Sequence, residues 1–240
     1  MLPASIDNVV FTNSAEERHL KRLVTGELAF PSHAKSGVML YGKYGTGKTT
    51  LAHLLAVLLE YQLAEAADKN AYNWCYDYRS TQVSVTPEQT EAPCVIPASF
   101  TLINCGKHHS NSSTSVVQQI DEVSRHSLKY GCVAGSFNHF VLDELDCWSE
   151  AAQANLKGVI TESPSWNVFY VTTNKRHAID EGIISRCVSV EMNGSDAQQH
   201  MRVLRQHYKH LTKYTDEQLT DVVSASGGDW RELEDAVCRL

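Results

Sequence analysis

Residues 42–50 read GKYGTGKTT, and this stretch decides the fold. The spacing G-x-x-x-x-G-K-T is met by Gly42, Gly47, Lys48 and Thr49. SGVMLYG, 36–42, is a compact apolar run of strand type, and LAHLLAVLLEYQLAEA, 51–66, consists mostly of strong helix formers. Strand, glycine loop and helix, in that order, are the context in which this spacing binds phosphate. The loop's backbone N–H groups point at an anion, and the helix that follows adds the positive end of its dipole. Lys48 brings a charge to the outer phosphates of a nucleoside triphosphate, and the Thr49 hydroxyl can coordinate Mg²⁺.

Three further apolar runs have the length of buried strands: FTLINC (100–105), the start of NHFVLDELDCW (138–148), and WNVFYVTTN (166–174). Strands alternating with helical patterns predict an α/β protein with a parallel sheet flanked by helices. The strand starting at Asn138 delivers Asp143 and Glu144 at its carboxyl end, where a parallel sheet opens its ligand crevice. Asp143 suits the Mg²⁺ shell, and Glu144 suits a base that activates water against the γ phosphate. Asn174 ends the next strand, where its amide can position that water or sense the phosphate; a simple polar strand cap is the competing role.

Arg186, in GIISRCVSV (182–190), lies twelve residues beyond Asn174 between a short apolar turn and another apolar run. A connection of that length can carry it away from its own nucleotide, toward the nucleotide of a neighbouring subunit. The alternative is an arginine that only pairs with a carboxylate such as Asp180 or Glu191. Residues 195–240 are helical. SDAQQHMRVLRQHYKHL and TDEQLTDVVSAS each open with a cap residue, and a last helix opens after Gly227 and Gly228. Arg231 falls in the first turn of that helix, where the dipole prefers an acid, so an anion at the same end would offset the cost.

The bulk numbers constrain partners. Across 240 residues, 21 Lys and Arg against 28 Asp and Glu give a net charge of -7, so a polyanion would have to meet a local basic surface. Arg125 and Lys129 are candidates for one, or are solvated cations near a helix end. Seven cysteines include no C-x-x-C pair and are expected reduced and mostly buried. The N-terminus lacks the regions of a signal peptide, and no run approaches the roughly 20 apolar residues that cross a bilayer, so a cytoplasmic protein without membrane contact is expected. Residues 64–97 break the helical periodicity and hold Tyr72, Trp74, Tyr76 and Tyr78. They read as an excursion packed back on the domain by its aromatics, or as a base-stacking surface. His108 and His109 lack a nearby carboxylate and read as surface rather than as a metal site.

Taken in order, GKYGTGKTT, FVLDELD, YVTTN, ISRC and GGDWREL resemble the AAA+ ATPases, and among them the small subunits of sliding-clamp loaders. The resemblance covers most of the chain from Asp7 onward. It implies a nucleotide-binding α/β domain over 1–192 and a helical lid over 193–240. It also implies a phosphate loop of Gly45, Thr46, Gly47, Lys48, Thr49 and Thr50, with Asp143 and Glu144 as the acidic pair. Asn174 becomes a first sensor, Arg186 an arginine acting in trans, and Arg231 a second sensor. The implied cofactors are ATP and Mg²⁺, and the implied partners are other AAA+ subunits, DNA and a sliding clamp, in the cytoplasm or, in a eukaryote, the nucleus. A DNA-bound AAA+ regulator of replication initiation or transposition is the alternative. The chain departs from the family in reading GKYGTGKT where its members usually read GPPGTGKT, in the length of 64–97, and in stopping at Leu240 where a helical collar would follow.

Overall fold

The structure is a computed structural model, and it describes residues 6–32, 34–63, 72–75, 84–87, 100–107, 111–125, 137–163, 166–194 and 196–240. Its strands, in chain order, are β1 (Gly37–Tyr41), β2 (Tyr72–Cys75), β3 (Ser84–Pro87), β4 (Phe100–Asn104), β5 (Asn138–Asp143), β6 (Asn167–Thr173) and β7 (Cys187–Glu191). Five of them make one sheet in the order β4-β5-β6-β1-β7, and every pairing in it is parallel. β2 and β3 pair antiparallel as a separate ribbon inside the long excursion. The aromatic side chains there, together with His108, His109, Lys129 and the side chain of Arg125, lie outside the described residues.

Alternation along each strand sends side chains to two cores. Val38, Leu40, Val141, Val168, Tyr170, Val188 and Val190 enter one core, with Leu20 and Leu23 of α1 (Ser14–Val24) and Leu51, Leu54 and Leu55 of α2 (Lys48–Leu63). Met39, Phe140, Leu142, Phe169 and Val171 enter the other, against α3 (Asn111–Arg125), α4 (Glu150–Glu162) and α5 (Glu181–Ser185). A sheet covered on both faces explains why its strands read as continuous apolar runs. Burying one such side chain contributes about 1.5–3 kcal/mol against about 1 kcal/mol net for a hydrogen bond, so the two faces dominate the sheet's stability.

Three helices follow β7: α6 (Ala197–His207), α7 (Asp216–Ser226) and α8 (Trp230–Cys238). Leu204, Leu211, Leu219, Val223, Leu233 and Val237 give them a core of their own. A capping box of Thr215 and Gln218 starts α7, and Gly227 ends it at φ 59 in the left-handed region.

Some element limits differ from the sequence reading. The helix expected through Leu211 ends at His207, and residues Lys209–Lys213 continue as a 3-10 turn that brings Leu211 into the helical core. α3 begins at Asn111 with Asn and Ser in its first turn, residue types that are otherwise common in loops. No helix among the described residues is long and apolar enough to cross a membrane.

Candidate active site

Parallel register lines up the carboxyl ends of the strands. Tyr41 stands beside Thr173, and Asn104 beside Asp143. The chain leaves β1 at Tyr41 and enters the glycine loop on this edge. Gly42 has φ +146, and a Cβ there would stand 2.6 Å from Asn193 Oδ1 and 2.9 Å from the Met192 backbone, so the position admits only glycine. Asn193 holds the loop from outside: its Oδ1 accepts from Lys43 N at 2.6 Å, while its own N donates to Thr12 Oγ1 at 2.7 Å. Within the loop, buried Thr46 donates to Lys43 O at 3.0 Å.

Lys48 opens α2 and is 8% exposed. Its Nζ donates to Gly42 O at 3.0 Å and to Lys43 O. Burial pushes this ammonium down to about 8; Asp143, Asp146 and Glu144 oppose the shift, and Arg231 adds to it. A buried cation with too little negative charge around it is suited to an anion. Thr49 Oγ1 donates to Asp143 Oδ1 at 2.6 Å, which joins the loop to the end of β5.

Glu144 follows Asp143 in a left-handed conformation, φ 59 and ψ 49, which turns the chain sharply off the strand. A Cβ at Gly106 would stand 2.9 Å from Glu144 Oε2 and 3.2 Å from Asn104 Oδ1, so the end of β4 closes round the same carboxylate. Asn174 comes off β6, with its N donating to Asp146 Oδ1 at 3.4 Å. Its side-chain Oδ1 is buried and has no hydrogen-bond partner. The helical segment reaches this edge too. Trp230 N donates to Gly45 O at 2.9 Å, and Arg231 N donates to the capping carboxylate of Asp229 at 2.8 Å.

Lys48, Thr49, Asp143, Glu144, Asn174 and Arg231 therefore share one edge of the sheet, and Arg186 does not. Cys187, the residue after it, stands beside Gly37 at the start of β1, so a five-residue strand of roughly 16 Å separates Arg186 from the loop. There it caps α5, with Nη1 donating to Gly182 O at 2.7 Å and its carbonyl accepting from Ser36 N and Gly37 N. It lines an open cleft of about 300 Å³ with Ala34, Ser36, Ile160, Thr161 and Ser185. Lys35 braces the segment by donating to Ser185 O at 3.2 Å and Cys187 O at 2.6 Å.

The donor set fits a triphosphate with Mg²⁺: a glycine-lined loop, a buried ammonium, a hydroxyl and carboxylate in contact, and an orphaned amide oxygen. Sequence reasoning missed Thr172, Asp146, Asn193 and Asp229. The acidic pattern D-E-L-D was a signal for Asp146; the others carried none.

No family model and no curated protein matches the sequence. Solved structures match the fold. The AAA domain of FIGL-1 in complex with ADP aligns with TM-score 0.53 at 16% identity, covering 93% of this chain and 68% of that one. A proline-to-glycine variant of Thermotoga maritima RuvB aligns with TM-score 0.62 at 12% identity, over 97% of this chain and 63% of that one. A lysine-to-arginine variant of the same protein gives 0.61 at 13%, over 97% and 62%. The chain thus spans less than two thirds of the RuvB chains it matches. With its five-stranded parallel sheet, flanking helices and C-terminal helical segment, the chain shares the fold of these structures.

Proposed function

We propose that the chain binds ATP with Mg²⁺ and hydrolyses it, as one subunit of an oligomeric assembly that works in DNA replication in the manner of small clamp-loader subunits. The observation that carries the reading is the 2.6 Å bond from Thr49 to Asp143, beside buried Lys48 and with Glu144 next in the chain. In this reading residues 1–192 bind nucleotide and 193–240 form the lid. Loop amides and Lys48 hold the triphosphate, and Thr49 and Asp143 hold Mg²⁺, which supplies charge that offsets the phosphates' own. Glu144 accepts the proton of the attacking water, and the free Oδ1 of Asn174 orients that water. Arg231 reads the nucleotide from the lid. Arg186, a strand's length from its own loop, serves the site of a neighbouring subunit. The partners are other AAA+ subunits, DNA and a sliding clamp, in the cytoplasm or nucleus.

ATP affinity and Mg²⁺-dependent turnover of the wild type, Lys48→Ala and Glu144→Gln test the site. Lys48→Ala is expected to bind ATP about 10- to 100-fold more weakly, the loss of one charge-assisted contact of about 1.5–3 kcal/mol. Glu144→Gln is expected to keep ATP and stop turnover. Equal affinity and turnover in all three would contradict the assignment. Sedimentation with ATP, primed DNA and a sliding clamp tests the finer reading. An assembly that needs the clamp supports it, and self-assembly on DNA without a clamp favours a replication or transposition regulator.

A further inference from the structure

One buried hydroxyl ties together the two acidic residues on which the proposed reaction rests. Thr172 lies near the end of β6, beside Leu40 of β1, and is 2% exposed. Its Oγ1 donates to Asp143 Oδ1 at 2.7 Å and accepts from Glu144 N at 3.0 Å. A threonine hydroxyl has one proton to give and lone pairs to receive, and both capacities are used here. The Thr49 bond falls on the same Oδ1, so Oδ2 of Asp143 is the oxygen left for a cation.

The backbone at Glu144 explains why that acceptor matters. A left-handed conformation at φ 59 is sparsely populated by residues other than glycine, and such conformations persist where surrounding structure over-determines them. No side chain caps the turn that Glu144 opens. Its N–H instead finds Thr172 Oγ1, across the sheet and 28 residues away. Loss of the hydroxyl would remove the acceptor from Glu144 N and one donor from Asp143 together.

We infer that Thr172 is a positioning residue that fixes Asp143 and Glu144 relative to each other and so sets the Mg²⁺ dependence of both ATP binding and turnover. The inference rests on the reading of this edge as an ATP site. Thr172 touches neither nucleotide nor metal. It acts through the two carboxylate-bearing residues, as the outer partners of metal ligands do.

Thr172→Val keeps the shape and removes the hydroxyl, and Thr172→Ser keeps the hydroxyl and removes a methyl group. For each chain, ATP affinity is measured in EDTA and in Mg²⁺, and turnover is measured against Mg²⁺ concentration. Thr172→Val is expected to match the wild type in EDTA within about twofold, since the loop binds phosphate without Thr172. Its Mg²⁺-dependent gain in affinity and its kcat should each fall about 10- to 100-fold, the usual effect of losing an outer partner. Thr172→Ser should recover both. If the valine chain does not fold, Thr172→Ala carries the same expectation. A folded valine or alanine chain with wild-type Mg²⁺ dependence and kcat overturns the inference alone. So does a serine chain as impaired as the valine one. A wild-type chain that binds no ATP in either condition overturns the ATP-site reading, and this inference with it.

Discussion

Asp229, the capping residue of the last helix, packs directly on Gly45 of the glycine loop, so closely that a Cβ at position 45 would overlap its carboxylate. The neighbouring Trp230 N donates to Gly45 O at 2.9 Å, and a Cβ at Gly47 would touch the Trp230 ring at 3.9 Å. Trp230 is seated in turn on buried His200 of α6, with ring centroids 4.8 Å apart. The start of α8 is thereby fixed to the loop that would cradle phosphate, and Arg231 inherits its position from that seat.

Gly45→Ala tests this contact. The position has φ +72, which costs a residue with a Cβ about 1–2 kcal/mol before any clash with Asp229. A drop in melting temperature of several degrees and a loss of ATP affinity of roughly tenfold are expected. Thermal melts and titration with a fluorescent ATP analogue measure the two, and no change in either would show that the helical segment does not rest on the loop in solution.

Legibility in the sequence followed the distance over which each feature acts. The glycine loop is local: strand, loop and helix occupy one continuous stretch, and the spacing of Gly42, Gly47, Lys48 and Thr49 is itself the signal. Asp143 and Glu144 were visible because an apolar run ends on them. Thr172 and Thr173 were not, since a β-branched residue in a strand looks like strand propensity and nothing more. Only the pairing of β5 with β6 brings Thr172 to Asp143, and Thr173 Oγ1 to Asp146 Oδ1 at 2.8 Å. Asp229 caps the last helix, and its approach to Gly45 depends on how the helical segment folds back. Arg186 could be read as leaving its own site, but the sheet order that sets β7 beside β1 could not.

Lys48 predicts a pH dependence. Burial holds its ammonium down to about 8 from an ordinary 10.5, and phosphates beside it would raise it again. ATP binding should therefore take up a proton between these values and weaken as pH rises above about 8. In the ligand-free chain the sign is set by the lowered value: between about 8 and 10.5 the unfolded chain binds the extra proton, so this residue's contribution to stability rises with pH. Calorimetry at about pH 8.5, in two buffers of different ionisation enthalpy, reads the uptake. Identical binding heats in both buffers would contradict it.

Asp180 predicts a separable effect at the other edge of the sheet. It caps α5 by accepting from Gly182 N at 2.7 Å, and it pairs with Lys157 of α4 at 3.1 Å. The Lys157 contact chiefly holds its carboxyl below the usual range. Asp180→Ala should cost about 1 kcal/mol, the usual value of a cap, and should lower turnover of the assembly more than ATP affinity because α5 carries Arg186. Asp180→Asn, which keeps a capping oxygen, should be milder. Because the folded value is lowered, the advantage of wild type over alanine is present above the ordinary value of 3.8 and shrinks as pH falls through the folded one. Denaturant unfolding from neutral to acid pH measures it, and an alanine chain with the same unfolding midpoint throughout would contradict the role.

Mixing Arg186→Ala with Glu144→Gln tests the composite ATP site most directly. Each variant alone is expected to bind ATP and to hydrolyse almost none, the first for want of the neighbour's arginine and the second for want of its own base. In a mixed assembly, some interfaces pair an intact Glu144 with an intact Arg186. Turnover measured across mixing ratios should rise from near zero and peak at intermediate composition. If co-assembly is shown by sedimentation and no activity returns at any ratio, or if Arg186→Ala alone hydrolyses ATP at the wild-type rate, the composite site is wrong.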